Sequence, residues 1–414
     1  MCTPAFADEV SDLKAEIAAQ RQSAEAQKAR LDALEQRLGA AQAQPAPAAG
    51  ASYTQGEGLS YKSPKLSVTL YGLIDLTAST INHANAAGDR LTSFQTAWFS
   101  GNRWGITGKR DLSAGGLNAI FKLESEFVTH TGEMDTPGVL FNRDAWVGFE
   151  SADLGKLTLG RQNALGRDFA AGYLDPYGSA KASTEEGGGT NTNNFKHLIF
   201  YGGSATGTRM NNGVVWKKVF SNNLVAGLAY QFGGIAGDFS KGSTKSAALG
   251  YNGGPFNVAG FVTQANVNGF THKSYSVGGN YQLGEVRLNA GAFRYTAEQG
   301  ALGSRTDNAY TVSAKFAPAG KMDYELGAQR MDASNAAVNA GGNVLNAYAN
   351  ASTATATATG KKGTVYGSIF YHFDKSTEVY LAGDYMKLGG GYRVATANGF
   401  RSQTELAVGL RTRF

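Results

Sequence analysis

The side chains that usually carry catalysis are few and scattered in this 414-residue chain. Five histidines, His83, His130, His197, His272 and His372, form no metal-spaced pair, and no Gly-x-Ser-x-Gly turn presents a serine to a base. Cys2 is the single cysteine, which excludes a disulfide framework and leaves too few thiols for a cysteine metal site. No catalytic residue, metal or cofactor is therefore expected. What remains is basic chemistry. Residues 1–64 hold 6 Lys and Arg against 8 Asp and Glu, so residues 65–414 carry a net +7 where the whole chain carries +5. Arginine offers planar, paired donors that match carboxylates, and fixed positive charge around a watery passage favours anions. Small inorganic anions and organic carboxylates are the expected cargo, with no nucleic-acid partner. The same excess could instead complement lipid headgroups on an outer surface.

Strands must position those charges. At the C-terminus Leu406, Val408, Leu410, Thr412 and Phe414 alternate with Ala407, Gly409, Arg411 and Arg413, which puts the two sets on opposite faces of one strand. The same dyad pattern recurs in sixteen segments, the first near 66–79 and the last near 400–414, with hardly any helix between them. No stretch approaches the roughly 18 apolar residues of a spanning helix. The 55 glycines, 8 prolines and mean hydropathy of −0.27 suit a barrel with one wet face and one lipid face. Short connections such as 111–116 and 152–155 alternate with long ones, 164–208 and 331–361, which is the pattern of turns in the periplasm and loops outside. The expected fold is an all-β, 16-stranded antiparallel transmembrane β-barrel in the outer membrane, preceded by an α-helical coiled coil.

Three further segments precede the barrel. Pro4-Ala5-Phe6-Ala7 before Asp8 is similar to the end of a secretory signal peptide, making residues 1–7 its remnant. Residues 8–39 carry a heptad seam of Val10, Leu13, Ile17, Gln20, Ala24, Gln27, Leu31, Leu34 and Leu38, with charged flanks and Gly39 as the stop. Its core is thin, because Gln20, Ala24 and Gln27 bury little. An even number of strands puts this helix in the periplasm. Residues 40–64, with Pro45 and Pro47, read as a linker.

A family resemblance now emerges. Ser67-Val68-Thr69-Leu70-Tyr71-Gly72, Asn102-Arg103-Trp104-Gly105, Leu117 through Ser125, Phe141-Asn142-Arg143, Leu159-Gly160-Arg161-Gln162 and Val408 through Phe414 together resemble the general bacterial porins of Gram-negative outer membranes. The likeness covers residues 65–414, and the helical extension resembles a smaller group of trimeric porins. It implies a homotrimer and a third loop, about 164–208, folded into the lumen as an eyelet. It further implies a constriction with Asp175 on that loop facing Arg103, Arg143 and Arg209 on the wall. No lysine follows Tyr71-Gly72, where some relatives place one.

Alternation supports these assignments unevenly. Arg103 shares a face with Gly105 and Thr107, opposite Trp104 and Ile106, so the lumen suits it. Arg143 shares parity with Ala145, Val147 and Phe149, an apolar face, and rests on the resemblance. Arg161 shares parity with Leu157 and Leu159, which points it outward unless a bulge intervenes. A bare arginine facing lipid near the midplane costs roughly 2–4 kcal/mol, and a subunit interface would remove that cost, so Arg161 is the candidate interface residue. The alternative to a pore is a structural anchor whose coiled coil binds the cell wall or a periplasmic partner.

Overall fold

The computed structural model describes residues 5–43, 50–95, 97–174, 203–345, 353–394 and 399–414. They fall into two units, Met1–Gly50 and Ala51–Phe414. The first is one helix, α1 (Ala5–Ala43). It runs through the expected stop at Gly39, because Ala40, Ala41, Gln42 and Ala43 are strong helix formers and one internal glycine costs only about 1 kcal/mol. Ile17, Gln20, Ala24, Gln27, Leu31 and Leu34 are all exposed along it. The side chains of Val10, Leu13 and Leu38 lie outside the described residues.

In the second unit, part of the expected linker forms a hairpin of β1 (Gly50–Thr54) and β2 (Gly58–Lys62). Gly56 and Gly58, at φ 77° and 105°, make its turn. Five-residue strands are too short to announce themselves by alternation. The strands that follow are β3 (Leu66–Ile81), β4 (Leu91–Gln95), β5 (Arg103–Ala114), β6 (Leu117–Glu126), β7 (Asp144–Ser151), β8 (Gly155–Asn163) and β9 (Arg209–Val219). Then come β10 (Leu224–Gln231), β11 (Thr244–Gly253), β12 (Phe256–Val267), β13 (Phe270–Leu283) and β14 (Val286–Glu298). The last five are β15 (Ser304–Phe316), β16 (Met322–Ala337), β17 (Thr357–His372), β18 (Thr377–Gly390) and β19 (Ser402–Arg413). Setting aside the short β1, β2 and β4 leaves sixteen, each antiparallel to its neighbours. β19 pairs back onto β3 from Glu405↔Ile81 to Arg413↔Leu73, which closes the barrel.

Burial runs opposite to that of a water-soluble protein. Leu406, Val408 and Leu410 are 50–58 % exposed, while Ala407 and Arg411, on the other parity, are 1–2 % exposed. The same inversion holds on β11 to β18, where Leu249, Val262, Val277, Val312, Leu326, Val365 and Leu381 face outward. Tyr251, Phe256, Tyr281, Phe316, Tyr324 and Tyr371 ring the end with the short turns, and Tyr275, Tyr310 and Tyr385 the other. An apolar band between aromatic girdles is what lipid demands of a barrel exterior.

The second long strand, β5, begins only at Arg103. β4 pairs the upper part of β3 instead, and residues 97–102 turn into the lumen. There Trp98 and Phe99 pack with Tyr366, Phe370, Tyr380, Ala382 and Ala407. The Asp75 carboxylate accepts the Phe99 and Ser100 N–H groups at 3.4 and 3.1 Å, and the Arg411 guanidinium lies 5.7 Å from the Phe99 ring centre. These inward contacts outweigh the missing ladder bonds.

Candidate pore constriction

One stretch of inner wall, from β5 to β9, gathers ionised side chains around the root of an inward loop. β6 supplies Lys122, Glu124 and Glu126 on one face, as its alternation requires. Arg143 donates from Nε to Glu124 Oε1 at 2.6 Å and from Nη1 to Glu126 Oε2. Tyr71 donates to Glu124 Oε2 at 2.6 Å, and Lys122 bridges Glu124 and Asp144 at 3.0 and 2.8 Å. Arg103 stands opposite Glu126 in the β5–β6 ladder, on the same side as Gly105.

Arg143 turns inward against its parity because β7 starts only at Asp144, so the residue belongs to the loop before the strand and escapes its alternation. Arg161 keeps its outward parity, and the ladder slips beside it between Gly160 and Gln162, where Gly160 has φ 131°. Its Nε donates to the Asn142 carbonyl at 2.7 Å and its Nη1 to Asn211 Oδ1. Arg209 is half-buried within electrostatic reach of Arg143, Glu126, Asp144 and Glu124, and its Nε and Nη2 have no hydrogen-bond partner among the described residues. The arginines expected at the constriction therefore share one wall. Asp175 lies outside the described residues.

The loop after β8 enters the barrel as α2 (Leu165–Phe169) and a π-turn at Ala170–Leu174. Leu165, Phe169 and Ala170 pack on an apolar inner patch that includes Met210, Val215, Ala229, Ala248, Ala259 and Phe261. Arg167, buried at 3 % exposure, donates to Asn163 Oδ1 and lies in the field of Arg209 and Arg143. Asp168 accepts from Lys217 Nζ at 2.5 Å and Asn163 Nδ2 at 2.8 Å. Partial burial pushes its carboxyl up, but Lys217 and Asn163 outweigh that and hold it below the usual aspartate range.

Arg167 and Asp168 carry no periodic signal, being in a loop, and sequence reasoning passed them by. Glu124 and Glu126 were readable from the Lys-x-Glu-x-Glu alternation of β6. Together the site sets Arg103, Lys122, Arg143, Arg167, Arg209 and Lys217 against Glu124, Glu126, Asp144 and Asp168, an excess of cations. Among the described residues no group of three or more His, Cys, Asp or Glu is arranged to hold a metal.

Known proteins resemble this arrangement. The family model for Gram-negative porins matches residues 38–391. The chain belongs to the Gram-negative porin family. It is 30 % identical over 247 residues to an outer membrane porin protein of Bordetella pertussis, a match that spans 62 % of that relative and 54 % of this chain. Among solved structures, the anion-selective porin from Comamonas acidovorans superposes with a TM-score of 0.66 at 22 % identity, over 84 % of this chain and 100 % of that one. The trimer form of OmpT of Vibrio cholerae gives 0.57 at 14 % identity, over 84 % and 100 %. These structures share the fold of this porin.

Proposed function

We propose that this porin forms a water-filled channel in the outer membrane that lets small solutes diffuse and prefers anions, inorganic ions and organic carboxylates alike. The observation that carries the reading is the convergence of Arg103, Arg143, Arg167 and Arg209, with Lys122 and Lys217, at the root of the inward loop, where these six cations exceed the four local carboxylates. A cationic constriction in a low-dielectric wall raises the local anion concentration. The Comamonas acidovorans porin that shares this fold is itself anion-selective, which supports the reading.

The functional unit is a homotrimer, in keeping with the trimer form of the Vibrio cholerae relative, and Arg161 with its Asn142 and Asn211 partners sits at the subunit contact. The exposed Ile17, Leu31 and Leu34 on α1 favour a three-stranded parallel coil, on the periplasmic side of the membrane, along the seam from Val10 to Leu38. Reconstitution in planar bilayers tests the channel: stepwise conductance in triplets, with a reversal potential of anionic sign in a salt gradient, is the expected result. Folded protein that conducts nothing, or that prefers cations, overturns the reading.

A further inference from the structure

A hollow of about 410 Å³ opens in the inner wall toward the end of the barrel with the short turns. Tyr71 on β3, Lys109 on β5, Lys122 on β6, Trp146 and Glu150 on β7 and Lys156 on β8 line it. Pairing puts these side chains on one face of the sheet: Lys122 stands opposite Trp146, and Glu150 stands opposite Lys156. The hollow adjoins the constriction, because Lys122 also bridges Glu124 and Asp144, and Tyr71 also donates to Glu124.

Its chemistry is more than a plain water path needs. Alternation along β7 turns Trp146 inward with Asp144 and Glu150, and the indole N–H donates to Asp144 Oδ1 at 3.2 Å, which orients the ring. Ile120, 5 % exposed, and the ring of Tyr71 extend the apolar surface. Three ammonium groups surround it, and two of them are neutralised: Lys109 pairs with Glu150 at 2.7 Å, and Lys122 with its two carboxylates. Lys156 makes no ion pair among the described residues, since its cross-strand neighbour Glu150 is engaged by Lys109. Its Nζ instead stands 4.3 Å from the centre of the Trp146 ring. An ammonium over an indole face is attracted to the ring and still has N–H donors to offer an anion.

We infer that this hollow is a subsite for small aromatic carboxylates, an inference that rests on the lumen being a solute path. The carboxylate meets Lys156, and the ring lies against Trp146, Tyr71 and Ile120. A carboxylate without a ring leaves that apolar surface wet, and a ring without a charge leaves Lys156 unpaired, so the site asks for both halves. The volume lies toward the small end of pockets that hold organic ligands, which suits a single ring.

The test is fluorine NMR on the full-length protein in detergent, titrated with para-fluorobenzoate and read by line broadening. Saturable binding is expected. Para-fluorobenzamide, which has the ring without the charge, and fluoroacetate, which has the charge without the ring, are each expected to bind about tenfold more weakly. Trp146→Ala and Lys156→Gln are each expected to weaken para-fluorobenzoate about fivefold, and Trp146→Phe, which keeps a ring, to lose much less. Unchanged gel mobility of the unheated variants shows that the barrel is intact. No saturable binding, equal binding of the three probes, or equal binding by wild type, Trp146→Ala and Lys156→Gln overturns the proposal. The titration needs no current, so a conducting protein that fails to bind sinks the subsite alone, while a protein that binds but conducts nothing sinks the channel reading.

Discussion

The ring of Phe414 occupies the space that a side chain on Gly72 would need: a Cβ built on Gly72 falls 2.2 Å from the ring's Cζ. The backbones of the two residues exchange hydrogen bonds, Gly72 N–H to Phe414 O at 2.8 Å and Phe414 N–H to Gly72 O at 3.0 Å. The last residue of the chain thus closes the barrel against the first long strand, and its aromatic ring lies in a notch that only glycine leaves.

Gly72→Val is expected to expel the Phe414 ring and destabilise the barrel by about 1–3 kcal/mol, the usual cost of overpacking. Thermal unfolding followed by gel mobility reads the change. Phe414→Ala in the same chain is expected to recover part of the loss, since the clash then has no second party. Independent, additive losses would count against the notch.

Arg209 and Arg143 are expected to separate selectivity from stability. Arg209→Ser removes a cation whose Nε and Nη2 lack hydrogen-bond partners among the described residues, so the anion-to-cation permeability ratio should drop while the unfolding temperature barely moves. Arg143→Ser leaves Glu124 and Glu126 without their principal counter-ion. That should lower the ratio and also cost about 3–5 kcal/mol, as breaking a buried pair does. Reversal potentials and melting curves on both variants test the contrast.

The Asp168–Lys217 bridge should make the loop anchorage sensitive to acid. Because the folded carboxyl titrates below its ordinary value, near 3.9, its stabilisation is fully present above that value and disappears as pH falls through the lower folded one. Channel current is expected to become noisier in that acidic window. Asp168→Asn should show the noise at neutral pH and lack the acid transition; a transition retained in that variant places the titrating group elsewhere.

A Gln20→Cys variant probes the proposed coil. Parallel chains bring the position together around one axis, so mild oxidation is expected to give covalent dimers within each trimer. Deleting residues 8–39 should leave trimer and conductance in place, because the seam buries little. Monomer alone on an oxidised gel refutes a parallel coil in that register.

Strand periodicity made most of the barrel legible, since lipid outside and water inside force a strict two-residue alternation. It failed where the chain leaves the ladder. Arg143 was read against its parity because nothing in Phe141-Asn142-Arg143-Asp144 marks the strand start. Residues 97–102 look like strand by composition, yet Asp75, Arg411 and the Phe370–Tyr380 aromatics draw them inward from far along the sequence. Arg167 and Asp168 owe their place to packing of Leu165 and Phe169 on a distant wall, which no local pattern encodes.

Part of that wall is built of methyl groups. Leu165 and Phe169 belong to one cluster with Ala229, Ala248 and Ala259, so the inward loop rests a single carbon from the backbone of three consecutive strands. In the proposed channel, the reach of the loop toward the axis is therefore set by the wall it packs on. Lengthening one of those alanines moves the loop toward the axis and tightens the cut-off, while every charge that sorts ions by sign stays where it was.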